Sequence, residues 1–434
     1  MTKKDKIKQM ISDVHQRGIP DLVERDHNWS VPAGKIFSIM GVRRSGKTFS
    51  FYQIMKEILG KGGDLRDILF VNFEDDRLDP VNKDTLSMVL DAYYELYPAK
   101  KNTTVYVFFD EIQNVDGWER FVRRLLDAEK VKIYVTGSSS KMLSKELSTT
   151  LRGRTVAHEV FPFSFTEYLK YKRLSPEVVS SRDRARVINA FEQYLYVGGF
   201  PEIFDAEEPE RINILQEYIN LIVYKDLIER HNIKNHALVK YLIHYFLGNV
   251  SNLFSVNKMY NDLKSQRYKV SKDGIFNYLS YLEDAYCFFP VSIYSDSVRV
   301  RQVNPRKIYS VDHGLVTACV WDAKENTGRL LENLIYVQIR RVSPWRGTYY
   351  YVTQNGNEVD FVVLEKGEIK SVIQVSETMA NRDTMEREIK ALDEAMEELG
   401  VKAGTIITRE EENEMKIGKR VVNVVPAWKW MLEQ

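Results

Sequence analysis

The chain has 434 residues, long for a single hydrophobic core, and points to two to four domains. Hydrophobic residues make up 44% and charged residues 28%, the balance of a soluble globular protein, and a formal net charge of +1 excludes any argument for a polyanionic partner from whole-chain charge. The two cysteines, Cys287 and Cys319, lie far apart in sequence and exclude a disulfide scaffold. No apolar run approaches the roughly 18 residues needed to cross a bilayer, and Met1–Gly18 holds no signal-like apolar stretch, so a cytoplasmic protein with no membrane partner is expected.

In chain order, the first two hundred residues alternate short apolar runs with helix-like stretches. The runs Ile36–Met40, Ile68–Phe73, Val105–Phe109, Lys132–Thr136 and Val156–Phe161 show little period-two alternation. Strands buried on both faces read this way, and their alternation with helices predicts a parallel α/β sheet. From Phe165 to Ile233 aliphatic and aromatic residues recur three and four apart, which predicts helices. Three short helical stretches follow from His236 to Pro290. Strand-like pieces are then expected around Val291–Tyr294 and Val298–Val303. The remainder predicts a helix over Arg329–Arg341, strands at Tyr349–Val352, Val359–Leu364 and Ser371–Val375, a helix over Arg382–Leu399, and strands at Thr405–Thr408 and Val421–Val425.

The segment Gly41-Val42-Arg43-Arg44-Ser45-Gly46-Lys47-Thr48 matches the phosphate-binding pattern G-x-x-x-x-G-K-[ST] in full, directly after a strand and at the start of a helix. Backbone N–H groups and a helix N-terminus suit the dense negative charge of phosphates. Lys47 is expected on the β- and γ-phosphates of ATP and Thr48 on Mg²⁺, with Arg43 and Arg44 beside the nucleotide. The apolar strand Val105–Phe109 ends in Asp110-Glu111. The first acid is expected to hold Mg²⁺ and the second to act as general base toward water. A third strand ends in Thr136-Gly137-Ser138-Ser139-Ser140, where Ser138 or Ser139 would sense the γ-phosphate. Arg152 or Arg154 would neutralise transition-state charge, with Arg154 preferred, from its own subunit or a neighbour's.

With these residues in hand, the chain resembles a bacterial and archaeal AAA-type P-loop ATPase family that carries a C-terminal domain of unknown function. The resemblance rests on GVRRSGKT, LFVNFED, VYVFFDEIQNVDGWE, IYVTGSSS, LRGR, FPFSFTEYL, GGFPE, KIYSVDHGL, LENLIYVQIRR, GNEVDFVV and VPAWKWM, and so covers nearly the whole chain. It implies an α/β fold: a P-loop NTPase core of the additional-strand class (1–164), a helical lid (165–235), a winged-helix-like segment (236–303) and a PD-(D/E)xK, restriction-endonuclease-like domain (304–434). ATP and Mg²⁺ are the implied cofactors.

Residues His236–Ser310 hold ten Lys/Arg and five Asp/Glu, a balance of +5. Ser271 is a fitting cap for a helix Lys272–Asp284, which a DNA reader would use with Lys269, Lys272 and Asn277. Packing against the lid is the competing reading. In the C-terminal domain the resemblance implies a nuclease-like site at Glu332, Asp360 and Gln374. The third element should read acid-x-Lys but reads Gln374-Val375-Ser376, so loss of cleavage is expected, with Lys366 and Lys370 left as alternative lysines. Three readings stand: an Mg²⁺-dependent ATPase coupled to a conformational switch, a nucleotide-gated switch binding DNA through 236–310 or protein through the C-terminal domain, and an ATP-dependent nuclease. The oligomeric state is left open.

Overall fold

A computed structural model describes residues 2–27, 29–32, 34–138, 151, 153–342 and 347–434. The chain divides between Phe161 and Pro162 into two compact units.

The first unit is built on five strands: β1 (Ile36–Met40), β2 (Ile68–Asn72), β3 (Val105–Asp110), β4 (Val131–Gly137) and β5 (Thr155–Glu159). Every pairing is parallel, and the order across the sheet is β2-β3-β4-β1-β5. Strand β4 therefore lies between the strand that leads into the phosphate-binding loop and the strand that ends in Asp110. The apolar runs lack alternation because helices cover both faces. On one face Ile7, Met10 and Ile11 of the helix Lys3–Arg17 join Leu86, Val89 and Tyr93 of Lys83–Leu96 and Trp118, Val122 and Leu125 of Trp118–Ala128. On the other, Phe51, Ile54 and Met55 of the helix Lys47–Gly60 pack on Phe37, Phe108 and Tyr134, the last two rings stacked 4.5 Å apart.

The second unit opens with helices Phe165–Tyr171, Ser181–Val197 and Glu208–Leu221. Ser164 and Glu167 cap the first reciprocally: the serine accepts the Glu167 N–H and the glutamate accepts the Ser164 N–H. Helices His236–Gly248, Val256–Ser265 and Lys272–Asp284 follow, the last capped by Ser271 as expected. Strands β6 (Leu253–Phe254), β7 (Phe288–Val291) and β8 (Arg306–Ser310) form a small antiparallel sheet in the order β6-β8-β7. The C-terminal sheet contains β9 (Gly347–Val352), β10 (Glu358–Glu365), β11 (Glu368–Val375), β12 (Ala403–Thr408), β13 (Asn413–Ile417) and β14 (Arg420–Pro426) in the order β13-β14-β12-β11-β10-β9. Its β11-β12-β14 pairings are parallel and the rest antiparallel.

One expectation is corrected. Val298–Val303 is a helix capped by Ser297, not a strand. Its V-R-V-R-Q-V alternation is real, but the hydroxyl of Ser297 accepts the Val300 N–H and starts a helical turn. The boundary expected at 303/304 falls inside the small sheet, because β8 pairs with both β6 and β7. Strand β13 was not anticipated. Its half-exposed Asn-Glu-Met-Lys-Ile carries little apolar signal.

One pin in this unit explains two sequence motifs at once. The buried Asp312 carboxylate accepts N–H bonds from Gly199 (2.7 Å) and Gly314 (2.8 Å). Gly198 lies at φ 91°, ψ −174°, a region open essentially to glycine alone. A Cβ there would sit 2.4 Å from Asp312 Oδ1 and 2.7 Å from the Gly314 Cα. Gly198→Ala is expected to destabilise the protein by about 3 kcal/mol or more, from backbone strain and overpacking together. Gly400→Ala, where φ is 68° but nothing lies within 4 Å, should cost only about 1 kcal/mol. Denaturant melts that rank the two variants equally would contradict this account.

Candidate nucleotide site

The loop after β1 is shaped by backbone before any side chain acts. Gly41 has φ 154°, and a Cβ on it would meet the Val160 carbonyl oxygen at 2.0 Å, so only glycine lets β5 run on beside the loop. Arg44 and Gly46 take left-handed conformations at φ 66° and 95°, which turns the chain into the helix Lys47–Gly60. That helix starts with no side-chain cap, so its first N–H groups are offered to a ligand.

Four functional side chains meet at the carboxyl ends of β1 and β3. Lys47, 5% exposed, donates from Nζ to the carbonyls of Gly41 and Val42, both at 3.2 Å, and lies 3.4 Å from Glu111 Oε1. The Thr48 hydroxyl donates to Asp110 Oδ2 at 2.8 Å. The hydroxyl of Thr136, at the end of β4, donates to Asp110 Oδ1 and accepts the Glu111 N–H at 2.9 Å. Gln113 donates from Nε2 to Glu111 Oε2 at 2.5 Å. Glu111 itself sits at φ 51°, a left-handed position that turns its side chain at the strand end.

Electrostatics separate the two acids. Burial, with the neighbouring Glu111 charge, pushes Asp110 up to about 6, against the opposing bonds from Thr136 and Thr48. Burial also acts to raise Glu111, but Lys47, Gln113 and Arg43 outweigh it and hold the carboxylate below its ordinary range. The arrangement thus keeps Glu111 ionised and leaves Asp110 short of a cation. A hydroxyl and a buried, under-neutralised carboxylate form a donor set that fits a hard divalent ion beside bound phosphates.

An AAA-domain family model matches residues 33–169, and two further models, each a domain of unknown function, match 188–325 and 327–430. An uncharacterized protein of Methanocaldococcus jannaschii is 37% identical over 425 residues, spanning 95% of this chain and 91% of its own length. A second, from Haemophilus influenzae, is 31% identical over 332 residues, spanning 76% of this chain and 80% of its own. The chain belongs to one family with these two proteins and carries an AAA domain. Among solved structures, a Walker-type ATPase of Pyrococcus abyssi is similar with TM-score 0.43 at 13% identity, covering 73% of this chain and 94% of its own. The Aeropyrum pernix Orc1 protein in complex with DNA is similar with TM-score 0.31 at 12% identity, covering 78% and 94%. No helix among the described residues is long and apolar enough to cross a membrane.

In this AAA domain the residues expected from the loop and the acidic strand come together: Gly41, Val42, Ser45, Gly46, Lys47, Thr48, Asp110 and Glu111. Arg43 is ion-paired with Glu74 at 2.8 Å, and Arg44 is exposed. Ser138 is buried just past Thr136; Ser139 and Arg152 lie outside the described residues. Arg154 is not brought to the loop in its own chain. Its carbonyl accepts the N–H of Ile36, the first residue of β1, and its guanidinium pairs with Asp127. The loop leaves the other end of β1, roughly 13 Å away at about 3.3 Å per residue.

Three site residues escaped the sequence reading. Thr136 lies within the apolar strand pattern of β4 and Gln113 within a motif, and neither side chain is marked by its pattern. Arg25 carried no signal at all, yet it is buried under the loop. Its guanidinium donates to the carbonyls of Ser45 (3.1 Å) and Phe161 (2.5 Å), and Gln53 bonds its backbone on both sides.

In the second unit, Glu332 and Asp360 do converge, on a lysine. Lys307 of β8 lies 2.7 Å from Asp360 Oδ1, 2.9 Å from Glu332 Oε1 and 2.8 Å from Glu358 Oε1. Tyr309 donates to Glu332 at 2.7 Å. Burial and Asp360 push Glu332 up, while Lys307 acts against them. Burial would lower Lys307, but Asp360, Glu332 and Glu358 outweigh it and hold the ammonium charged well above its ordinary range. Gln374 faces elsewhere: its carbonyl accepts the Asp360 N–H at 3.2 Å and its amide donates to Glu388 at 2.7 Å. Lys366 and Lys370 are exposed, at and beside the β10–β11 turn. Among the described residues, no three His, Cys, Asp or Glu side chains are arranged to hold a metal ion.

The Asp110 shift has a consequence for stability without nucleotide. A carboxyl raised from 3.8 to about 6 binds its proton more tightly folded than unfolded, so stability falls as pH rises through that window and the cost is complete above it. Asp110→Asn cannot ionise. In EDTA at about pH 7.5 it is expected to exceed wild type in stability by about 2–3 kcal/mol, with the gap closing as pH falls toward about 4. A variant no more stable than wild type at the higher pH would show that the buried charge is already compensated.

Proposed function

We propose that the protein binds ATP with Mg²⁺ and hydrolyses it, and that the 162–434 unit responds to the nucleotide state. The supporting observation is the convergence of Lys47, Thr48, Asp110 and Glu111 at one end of a sheet whose order inserts β4 between β1 and β3. Mg²⁺ bound with the nucleotide would supply charge neutralisation at the phosphates, held by Thr48 and Asp110. On binding, the Lys47 ammonium would exchange the Gly41 and Val42 carbonyls for phosphate oxygens. Glu111, oriented by Gln113, would take a proton from water as the water oxygen bonds to the γ-phosphorus and the β–γ bridge breaks, giving ADP and phosphate.

The pins of the second unit favour a response as one body rather than a lid sliding over a C-terminal platform. Asp312 holds Gly199, His313 bonds the Tyr194 carbonyl at 2.8 Å, and Arg409 bonds Glu192. We read the C-terminal domain as a nuclease-like fold kept as a binding surface.

The test is phosphate release from ATP by the full chain, with and without duplex DNA. Glu111→Gln is expected to lower turnover at least about 100-fold with nucleotide still bound, and Lys47→Ala to remove binding or turnover. Turnover unchanged in either variant would sink the assignment.

A second reading, a nucleotide-gated DNA-binding switch, draws on Lys258, Lys264, Arg267, Lys269 and Lys272, all exposed on or beside two adjacent helices. Lys307 no longer counts toward that surface. DNA affinity of the full chain that falls steeply with salt, and falls again in a Lys264→Glu, Lys269→Glu double variant, is the expected signature. Equal affinity of variant and wild type would remove this reading.

A further inference from the structure

We propose that the carboxylates Glu332, Glu358 and Asp360 form a cation site that the chain fills with its own cation, the ammonium of Lys307. The inference deepens the reading of the C-terminal domain as a nuclease-like fold that does not cut, and the test below separates the two.

The position of Lys307 carries the argument. It comes from β8, a strand of the small three-stranded sheet, while its partners come from the helix Thr327–Val342 and from β10 of the C-terminal sheet. Its side chain is 3% exposed, and those of Glu332 and Asp360 are 13% and 8% exposed. An ammonium has three N–H donors and no acceptor. Two are donated to Asp360 Oδ1 at 2.7 Å and Glu332 Oε1 at 2.9 Å, and Glu358 Oε1 at 2.8 Å completes the ring of carboxylates as an ion pair. A buried lysine bonded to two carboxylates and paired with a third is committed to the acids rather than placed to activate a water. It does occupy the point on which the acids converge. The oxygens stand only a few tenths of an ångström beyond the about 2.3–2.6 Å of a Ca²⁺–oxygen bond, so removal of the ammonium would leave a pocket that small shifts suit to a divalent ion.

The surrounding bonds fix the acids in place. Asp360 Oδ2 accepts the Val375 N–H at 2.8 Å, which aims Oδ1 at Lys307, and Tyr309 holds Glu332 Oε1. Gln374 adds no charge, and it spends its carbonyl on the Asp360 backbone and its amide on Glu388. With one lysine already among the three acids and a neutral amide rather than a fourth acid behind them, the site suits an internal cation better than a divalent ion added to it.

The experiment uses the full chain without nucleotide, in an Asp110→Asn background so that any ion counted belongs to the second unit. Mn²⁺ and Ca²⁺ are titrated and followed by calorimetry, Mn²⁺ resonance and thermal melting. The parent is expected to bind neither ion. Lys307→Met, which keeps an unbranched stem one atom shorter and loses the ammonium, is expected to bind one ion, and to lose it when Asp360→Ala is added. Should Lys307→Met melt early or fail to fold in EDTA, recovery on adding Mn²⁺ supports the proposal and no recovery overturns it. A folded Lys307→Met that binds no ion overturns it. So does a parent that binds Mn²⁺ through Asp360, which would make Lys307 part of a working metal site. Plasmid nicking, read alongside, tests the fold reading separately: ion binding by Lys307→Met without nicking keeps the cation site and removes only the nuclease-like reading.

Discussion

A buried carboxylate organises the nucleotide site. Asp110 is 1% exposed and carries no direct lysine or arginine partner at hydrogen-bond distance among the bonds it makes; two threonine hydroxyls hold it instead, one from each side. The strand order makes this possible. β1 and β3 are two strand spacings apart, about 10 Å, because β4 runs between them. The loop and the first turn of the helix Lys47–Gly60 carry Thr48 across that gap, and Thr136 rises from β4 in the middle of it. Hydroxyl bonds soften the burial of Asp110 without neutralising it, and its raised proton affinity measures the deficit. A site balanced in advance by a fixed cation would gain little from a bound ion. This one is arranged to gain.

Lys47 shows the complementary constraint. Without phosphates its ammonium is satisfied by two loop carbonyls and by Glu111. Those carbonyls are weak competitors for a polyphosphate, so the loop keeps its shape with the lysine folded inward and can release it. Glu111 is shared between Lys47 and Gln113, and departure of the lysine leaves the amide bond in place. The Gln113 amide therefore orients Glu111 in either condition.

Much of the first unit was legible because its strands are buried on both faces, and such runs cannot hide their hydrophobicity: Ile36–Met40 has five buried residues in succession. The phosphate-binding loop was legible because its chemistry demands glycines and a lysine at fixed spacing. Arg25 was not. A buried arginine that bonds main-chain carbonyls leaves no pattern in sequence, since any segment offers carbonyls. Arg154 misled for the reverse reason: Leu151-Arg152-Gly153-Arg154 marks charge in the sequence, and only the register of Ile36 with Thr155 shows which end of β1 Arg154 flanks. Val298–Val303 misled because alternation over six residues weighs less than one well-placed capping serine.

Lys307 was hidden by where a motif search looks. The acid-x-Lys pattern places its lysine two residues beyond an acid on the same strand, whereas this lysine lies 53 residues before Asp360 and on a different sheet. Physics narrows the search where pattern does not. Glu332 and Asp360 cannot be buried together as two uncompensated charges, because their desolvation is not met by neutral hydrogen bonds alone. Once the topology buries them, a retained proton or a nearby cation is required, and Lys307 is the cation at hand. The two units thus treat the same problem in opposite ways. Around Asp110 the compensation is left to hydroxyls and stays incomplete, which leaves room for an ion that arrives with a nucleotide. Around Asp360 the cation is covalently attached, so its exchange would require β8 to pull out a lysine whose side chain is 3% exposed.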